Sequence, residues 1–158
     1  MINIRPIQES DLQELSEIFA EVYRVFDVGE RWTKETAHGL LSHWVKNQPD
    51  LAFAAECEGK LVGAFVSGIK PWWDGNHLFD GEIFVHPEYQ QHGIGKELLK
   101  IMFETAIEKY NVTVWDAFTF NKTNFPLSWY KSLGFEEIKE WTMFSGSVEN
   151  VLDILERK

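Results

Sequence analysis

A single cysteine, Cys57, stands among 158 residues, which rules out an internal disulfide framework and any cysteine-rich metal site. No apolar run approaches the roughly 20 residues that a membrane-spanning helix needs. The opening "MINIRPIQES" lacks the charged-then-apolar pattern of a secretory leader, so a cytoplasmic location is the expectation. Basic residues are the scarcer charge, 15 Lys and Arg against 25 Asp and Glu, for a net charge of −10. An acidic surface repels phosphate backbones, which sets nucleic acid aside as a partner, and it favours cationic small molecules. No repeat, low-complexity tract or linker interrupts the chain, and residues 1–158 read as a single domain.

Aromatic residues are plentiful, with twelve Phe and seven Trp in a composition that is 44% hydrophobic. That is enough apolar material for one folded domain with an aromatic core. The pattern along the chain alternates between two periods. "INIRPI" reads as a strand, and Ser10-Asp11 supply capping residues for a helix to about Phe26. Within it Leu12, Leu15, Ile18, Phe19, Val22 and Val25 recur at helical spacing. Thr33 caps a second helix, "KETAHGLLSHWVKN", which Pro49 ends. "LAFAAECEGKLVGAFVSGIK" reads as a hairpin turning at "EGK", and "HLFDGEIFV" as a further strand. A long helix, "IGKELLKIMFETAIEKY", a strand, "VTVWDAFTF", and a short helix, "NFPLSWYKSL", stopped by Gly134, follow. Residues 147–158 read as a final helix, with Ser147 as its cap and Val148, Val151, Leu152 and Leu155 on one face. The fold class is therefore mixed α/β, a central sheet flanked by helices.

The stretch "HPEYQQHGIGKELL" spends two glycines where a strand hands over to a helix. Gly93 and Gly95 lack a Cβ, so they permit unusual dihedrals and leave the backbone open to a ligand. The N–H groups from Gln91 through His92, Gly93, Ile94 and Gly95 to Lys96 have no partner within the helix and point outward from its start. With the helix dipole and the Lys96 charge they suit a pyrophosphate. A nucleoside-triphosphate loop would need Gly-x-x-x-x-Gly-Lys-Ser/Thr, and only Gly95-Lys96-Glu97 is present. A dinucleotide fingerprint would need a third glycine where Leu98 stands.

What is present is Gln90-x-x-Gly93-x-Gly95 behind Val85-His86-Pro87-x-Tyr89, and it resembles the acetyl-CoA loop of the GNAT acetyltransferase superfamily. "WYKSLGFEE", Trp129 to Glu137, is similar to that superfamily's late helix with its aromatic-Tyr-x-x-x-Gly-Phe ending. Together the two blocks span most of the chain. The resemblance implies a mixed, mostly antiparallel sheet, splayed apart where the pantetheine arm of acetyl-CoA enters and pairs with strand backbone at Phe84 and Val85. It implies Asn121 as a hydrogen-bonding partner of the pantetheine amide and Tyr130 as the general acid. "GEIFVHPEYQQHGIG" further resembles the corresponding block of aminoglycoside 6′-N-acetyltransferases, in which a strand aspartate placed like Asp116 meets a cationic acceptor.

Acetyl transfer to an amine sets the remaining requirements. The acceptor ammonium must lose a proton before it can attack, which calls for a carboxylate. The departing thiolate needs a proton, which a tyrosine hydroxyl can give, and backbone N–H groups can steady the carbonyl oxygen. Strand alternation places Asp80, Glu82 and Phe84 on one face, and Asp116 lies inside an apolar strand, so Glu82, Asp116 and Asp80 are the candidate bases. Trp72 and Trp73 beside Asp74, together with Asp80, Glu82 and Asp116, are candidate acceptor contacts, because ring faces and carboxylates both hold cations. Glu30, Trp32 and Glu35 are expected at the same rim. His38, His43, His77, His86 and His92 are too scattered for a metal site, and Cys57 suits a small apolar role. The expectation is an acetyl-CoA-dependent N-acetyltransferase acting on a small cationic amine in a ternary complex, with a homodimer through the last helix as a further possibility. A peptide or protein amine, or a non-catalytic acyl-CoA-binding module, are the alternatives.

Overall fold

A computed structural model describes residues 1–121 and 124–157. The chain forms two compact units, Met1–Thr119 and Phe120–Lys158. In the first, β1 (Ile2–Pro6) leads to α1 (Leu12–Phe26) and α2 (Lys34–Asn47). Then come β2 (Ala52–Cys57), β3 (Lys60–Trp72), β4 (Gly75–Val85), α3 (Ile94–Tyr110) and β5 (Val114–Asp116). The five strands make one sheet in the order β1-β2-β3-β4-β5, antiparallel throughout except for the parallel β4–β5 pair. The expected sheet flanked by helices, mostly antiparallel, is what the structure has.

Local chemistry explains the elements. A turn over Glu9–Asp11 starts α1, and the Asp11 carboxylate accepts from the Gln8 N–H at 2.7 Å. The Arg5 guanidinium grips the same carboxylate bidentately (2.6 and 3.0 Å) and holds it below the usual Asp range, while also donating to Glu56 across β1 and β2. Leu12, Leu15, Ile18, Phe19 and Val22 are buried as their spacing requires, but Val25 is 51% exposed. The last turn of α1 instead packs through Tyr23 and Phe26. Thr33 caps α2 by accepting from the Thr36 N–H, and both residues of the β2–β3 turn, Glu58 and Gly59, have positive φ, the geometry that keeps a two-residue hairpin in step with strand twist.

Two layers cover the sheet. Ala54, Ala64, Val66 and Phe84 pack with Leu15, Phe19 and Leu41 of α1 and α2 in one apolar cluster. The opposite face carries Phe65 and Trp115, which stack at 5.0 Å, and Trp115 meets Phe103 of α3 at 5.6 Å. "KPWWDGN" forms the tip of a long hairpin, with Pro71 and Trp72 in β3 and Gly75 and Asn76 in β4. β5 is shorter than "VTVWDAFTF" suggested, three residues against His77–Phe79.

The second unit contains α4 (Leu127–Ser132) and α5 (Val148–Glu156). The Tyr130 ring meets Trp129 at 5.1 Å and Phe135 at 5.7 Å, and the Phe135 N–H donates to the Tyr130 carbonyl. Ser147 caps α5 through its hydroxyl oxygen, which accepts from the Asn150 N–H.

Candidate active site

β4 is paired with β3 along its length but with β5 only as far as Phe79. The break falls on a β-bulge. Asp80 and Gly81 together stand opposite Ser67, between the pairs Val66–Glu82 and Gly68–Phe79. Asp80 sits at φ 55 and Gly81 at φ 106, both left-handed. The Asp80 carbonyl, tipped out of the ladder, accepts from Ser67 Oγ at 2.7 Å and from Trp115 Nε1 at 3.2 Å. The extra residue corrects the expected alternation. Register places Glu82 and Phe84 with Ala64 and Val66 on the α1–α2 face, and beyond the bulge Phe79 and His77 join that face where Leu78 would otherwise stand.

Past the bulge one edge of β4 has no strand partner among the described residues. The His86 N–H donates to the Val62 carbonyl at 2.8 Å. Because backbone direction alternates along an antiparallel strand, Phe84 likewise turns its N–H and carbonyl towards β3, while Ile83 and Val85 turn theirs to the open edge. The Val85 carbonyl there accepts from Gln90 Nε2 at 2.9 Å, which ties the glycine loop to the strand end.

The loop follows directly. Gln91 is left-handed at φ 65, and Gly93 at φ 84 is the N-cap of α3. The Gly93 carbonyl accepts from the Lys96 and Glu97 N–H groups. Among the described residues, the main-chain N–H groups of Gln91, His92, Gly93, Ile94 and Gly95 have no main-chain acceptor. Nothing lies within 4 Å of where a Gly93 Cβ would be. A run of uncommitted donors at a helix start, beside an open strand edge, fits a diphosphate followed by an extended amide-bearing arm.

Three carboxylates share the neighbourhood and differ in environment. Glu82 is half-buried, accepts from Tyr23 Oη at 3.3 Å, and is pushed up to about 7. Burial is the main cause, the nearby Asp80 charge adds to it, the Tyr23 bond opposes it, and Glu30 contributes a smaller push in the same direction as burial. Burial also raises the Asp80 carboxyl. Asp116 is committed elsewhere. Its Oδ2 lies 2.6 Å from His77 Nδ1, while His77 Nε2 lies 3.0 Å from Asp74. The buried imidazole is thereby held above the usual His range, chiefly by Asp116. His77, one of the scattered histidines, is a strand residue fastening β5 to β4. The sequence signal for it was the spacing of His77 and Asp116 within two apolar strands, which becomes legible only once those strands are known to be neighbours.

This clamp has a signed consequence. A raised folded-state pKa contributes stability that is present below about 6.5, the ordinary His value, and lost as pH rises through the folded value. Asp116→Asn should therefore lower the melting temperature more at pH 6 than at pH 9. Equal losses at both, measured by thermal melts, would show that His77 does not carry the charge.

The remaining candidates lie on several different elements. Trp32 Nε1 donates to Glu30 Oε2 at 2.6 Å, and the Trp32 ring meets Tyr23 at 6.0 Å, on the side of Glu82. Glu35 lies in the first turn of α2. Trp73 is 86% exposed at the hairpin tip, and Trp72 holds Lys70 Nζ 4.1 Å from its ring centroid. Asn121, which is exposed, and Tyr130 belong to the second unit.

Comparison with known proteins agrees with the geometry. Residues 12–135 match the Acetyltransferase (GNAT) family. An uncharacterized N-acetyltransferase of Methanocaldococcus jannaschii is 30% identical over 145 residues, covering 87% of this chain, which spans 63% of that protein's length. An N-alpha-acetyltransferase 30 of Dictyostelium discoideum is 27% identical, covering 92% of this chain and 76% of its own. Among solved structures, an integron cassette protein from V. cholerae superposes with a TM-score of 0.76 at 20% identity, covering 98% of each chain. An aminoglycoside N-acetyltransferase in complex with CoA does so with a TM-score of 0.72 at 20% identity, covering 94% of this chain and 95% of its own. The unpaired strand edge and the glycine loop agree with the family match: this chain belongs to the Acetyltransferase (GNAT) family.

Proposed function

We propose that this protein transfers the acetyl group of acetyl-CoA to a primary amine of a small cationic acceptor by direct attack, with Glu82 as the general base. The observation that carries the reading is Glu82 itself: a half-buried carboxylate that titrates near neutrality, on the strand where pairing opens beside the donor-rich loop. A general base works best when its pKa lies near the working pH. Asp116 and Asp80 are the weaker bases in this reading, since Asp116 is spent on His77 and Asp80 acts on Glu82 through its charge.

In this reading the other residues divide the remaining work, with Tyr130 and Asn121 in the roles that the family resemblance implies. The loop from Gln90 to Lys96 binds the diphosphate through the main-chain donors of Gln91 to Gly95, with the Lys96 side chain adding its charge. The edge groups of Ile83 and Val85 pair with the extended arm, with the Phe84 side chain packed beneath them. Acetyl-CoA, when bound, supplies the activated acyl group. Glu82 receives the proton that the acceptor ammonium must lose, and the Tyr130 hydroxyl gives a proton to the departing sulfur. Asn121 hydrogen-bonds the arm's amide. Glu30, Trp32, Trp72 and Trp73 supply charge and ring faces to a cation.

A cationic acceptor is supported by the carboxylates gathered at Glu82, Asp80 and Glu30, and by a structural neighbour solved with the bisubstrate analogue CoA-S-monomethyl-acetylneamine. A peptide amine is the second reading, favoured by the relative named N-alpha-acetyltransferase 30. Release of free thiol from acetyl-CoA, followed across aminoglycosides, polyamines and short peptides, decides between them. Tyr130→Phe is expected to lower kcat about 100-fold on whichever amine is used. Tight acetyl-CoA binding without turnover on any amine would instead identify a binding module.

A further inference from the structure

Glu82 gathers repulsion from several directions. Asp80 on its own strand and Glu30 on the α1–α2 connection both disfavour its charge, and burial does so more strongly. Farther along the same sheet face, the positive charges of His77 and Lys70 are engaged by Asp116 and Asp74 and by the rings of Trp72 and Phe79. Among the described residues, the hydrogen bond that favours the ionised carboxylate comes from α1, where Tyr23 Oη donates to Glu82 Oε2 at 3.3 Å.

We infer that Tyr23 is a positioning residue for the base: its hydroxyl holds one carboxylate oxygen and turns the other towards the acceptor amine. The inference rests on the reading of Glu82 as the base. The tyrosine suits the task because its ring is already fixed. It lies 4.7 Å from Phe19 and 6.0 Å from Trp32, Phe19 stands edge-on to Phe84 at 5.1 Å, and Trp32 is tethered by Glu30. A side chain locked by packing spends little further conformational entropy in holding a hydrogen bond. The bond also links the acceptor rim to the base, because Trp32 and Glu30 reach Glu82 through the ring they brace.

The test needs no substrate. The side-chain carboxyl carbon of Glu82 is followed by NMR titration in the intact protein, assigned by its disappearance in Glu82→Gln, with a thermal melt confirming that each variant is folded. Tyr23→Phe keeps the ring and removes the donor, and should move the Glu82 midpoint upward by about half to one pH unit. Site-specific 3-fluorotyrosine at position 23, a stronger donor of nearly the same shape, should move it downward, and this keeps the test decisive if Tyr23→Phe folds poorly. An unmoved midpoint near 7 in both variants overturns the role of Tyr23 and leaves Glu82 as the base. A midpoint near 4.5 in the unaltered protein overturns both.

Discussion

Glu82→Gln is expected to lower kcat by about 100- to 1,000-fold and to remove the acidic limb of the pH–rate profile near pH 7. Gln has the same shape and can still accept from Tyr23, but it cannot take a proton from an ammonium. In the unaltered enzyme the rate should fall as pH drops below about 7, because the carboxyl is then protonated. Acetyl-CoA affinity should change little, since the loop from Gln90 to Lys96 does not use this side chain. Asp116→Asn supplies the comparison. Its carboxylate already holds His77, so the acidic limb should persist in that variant even if the protein is less stable. Loss of the limb in Asp116→Asn and its retention in Glu82→Gln would reverse the assignment.

The same substitution should raise stability, and the sign follows from linkage. Glu82 has its pKa raised on folding, so folding disfavours its charged form. The neutral carboxyl costs nothing below about 4.5, and the penalty grows as pH rises towards 7. A rise from 4.5 to about 7 corresponds to about 3 kcal/mol above neutrality. Glu82→Gln removes that penalty, so it should melt about 10 °C higher at pH 8 and unchanged at pH 4.5. Activity and stability thus move in opposite directions through one residue, as expected where a site holds a strained charge. A variant that melts lower at pH 8 would mean that Glu82 is not disfavoured there.

How far the sequence discloses this site depends on the range of each interaction. The bounds of α2 and α3 were legible to the residue, because Thr33, Pro49 and the glycine loop act within a few positions of the helices they delimit. The donor-rich loop was legible for the same reason. Glu82 could be listed as a candidate but not ranked above Asp116, because what separates them is non-local: Tyr23 lies 59 residues from Glu82, and His77 lies 39 from Asp116. Simple alternation also grouped Asp80 with Glu82 and Phe84, and that failed at the bulge. "FDGEIF" did contain the signal, since a glycine inside an apolar strand marks a bulge or a close backbone approach. Val25 fits the helical period yet is exposed, since periodicity cannot tell where a helix outruns the surface it covers.

Gly81 is where the largest structural effect is expected. A Cβ built there would lie 2.1 Å from the Val66 carbonyl oxygen and 2.8 Å from Ser67 Cα, contacts with backbone in the middle of the sheet that no rotamer can relieve. Its φ of 106 is in addition one that side-chain-bearing residues rarely adopt. Gly81→Ala should therefore destabilise the fold by about 3 kcal/mol or more, lowering the melting temperature by about 10 °C. Gly39 is the matched control. It lies within α2 with nothing inside 4 Å of its missing Cβ, so Gly39→Ala should stabilise by about 0.5 to 1 kcal/mol. If Gly81→Ala instead melts like the unaltered protein, β4 can pair without the bulge. Its strand would then return to plain alternation between His77 and Glu82, which would place Leu78 rather than Phe79 on the face of the base. Glu82 would no longer sit where the β4–β5 ladder ends, and acetyl transfer should be lost even in a stably folded chain.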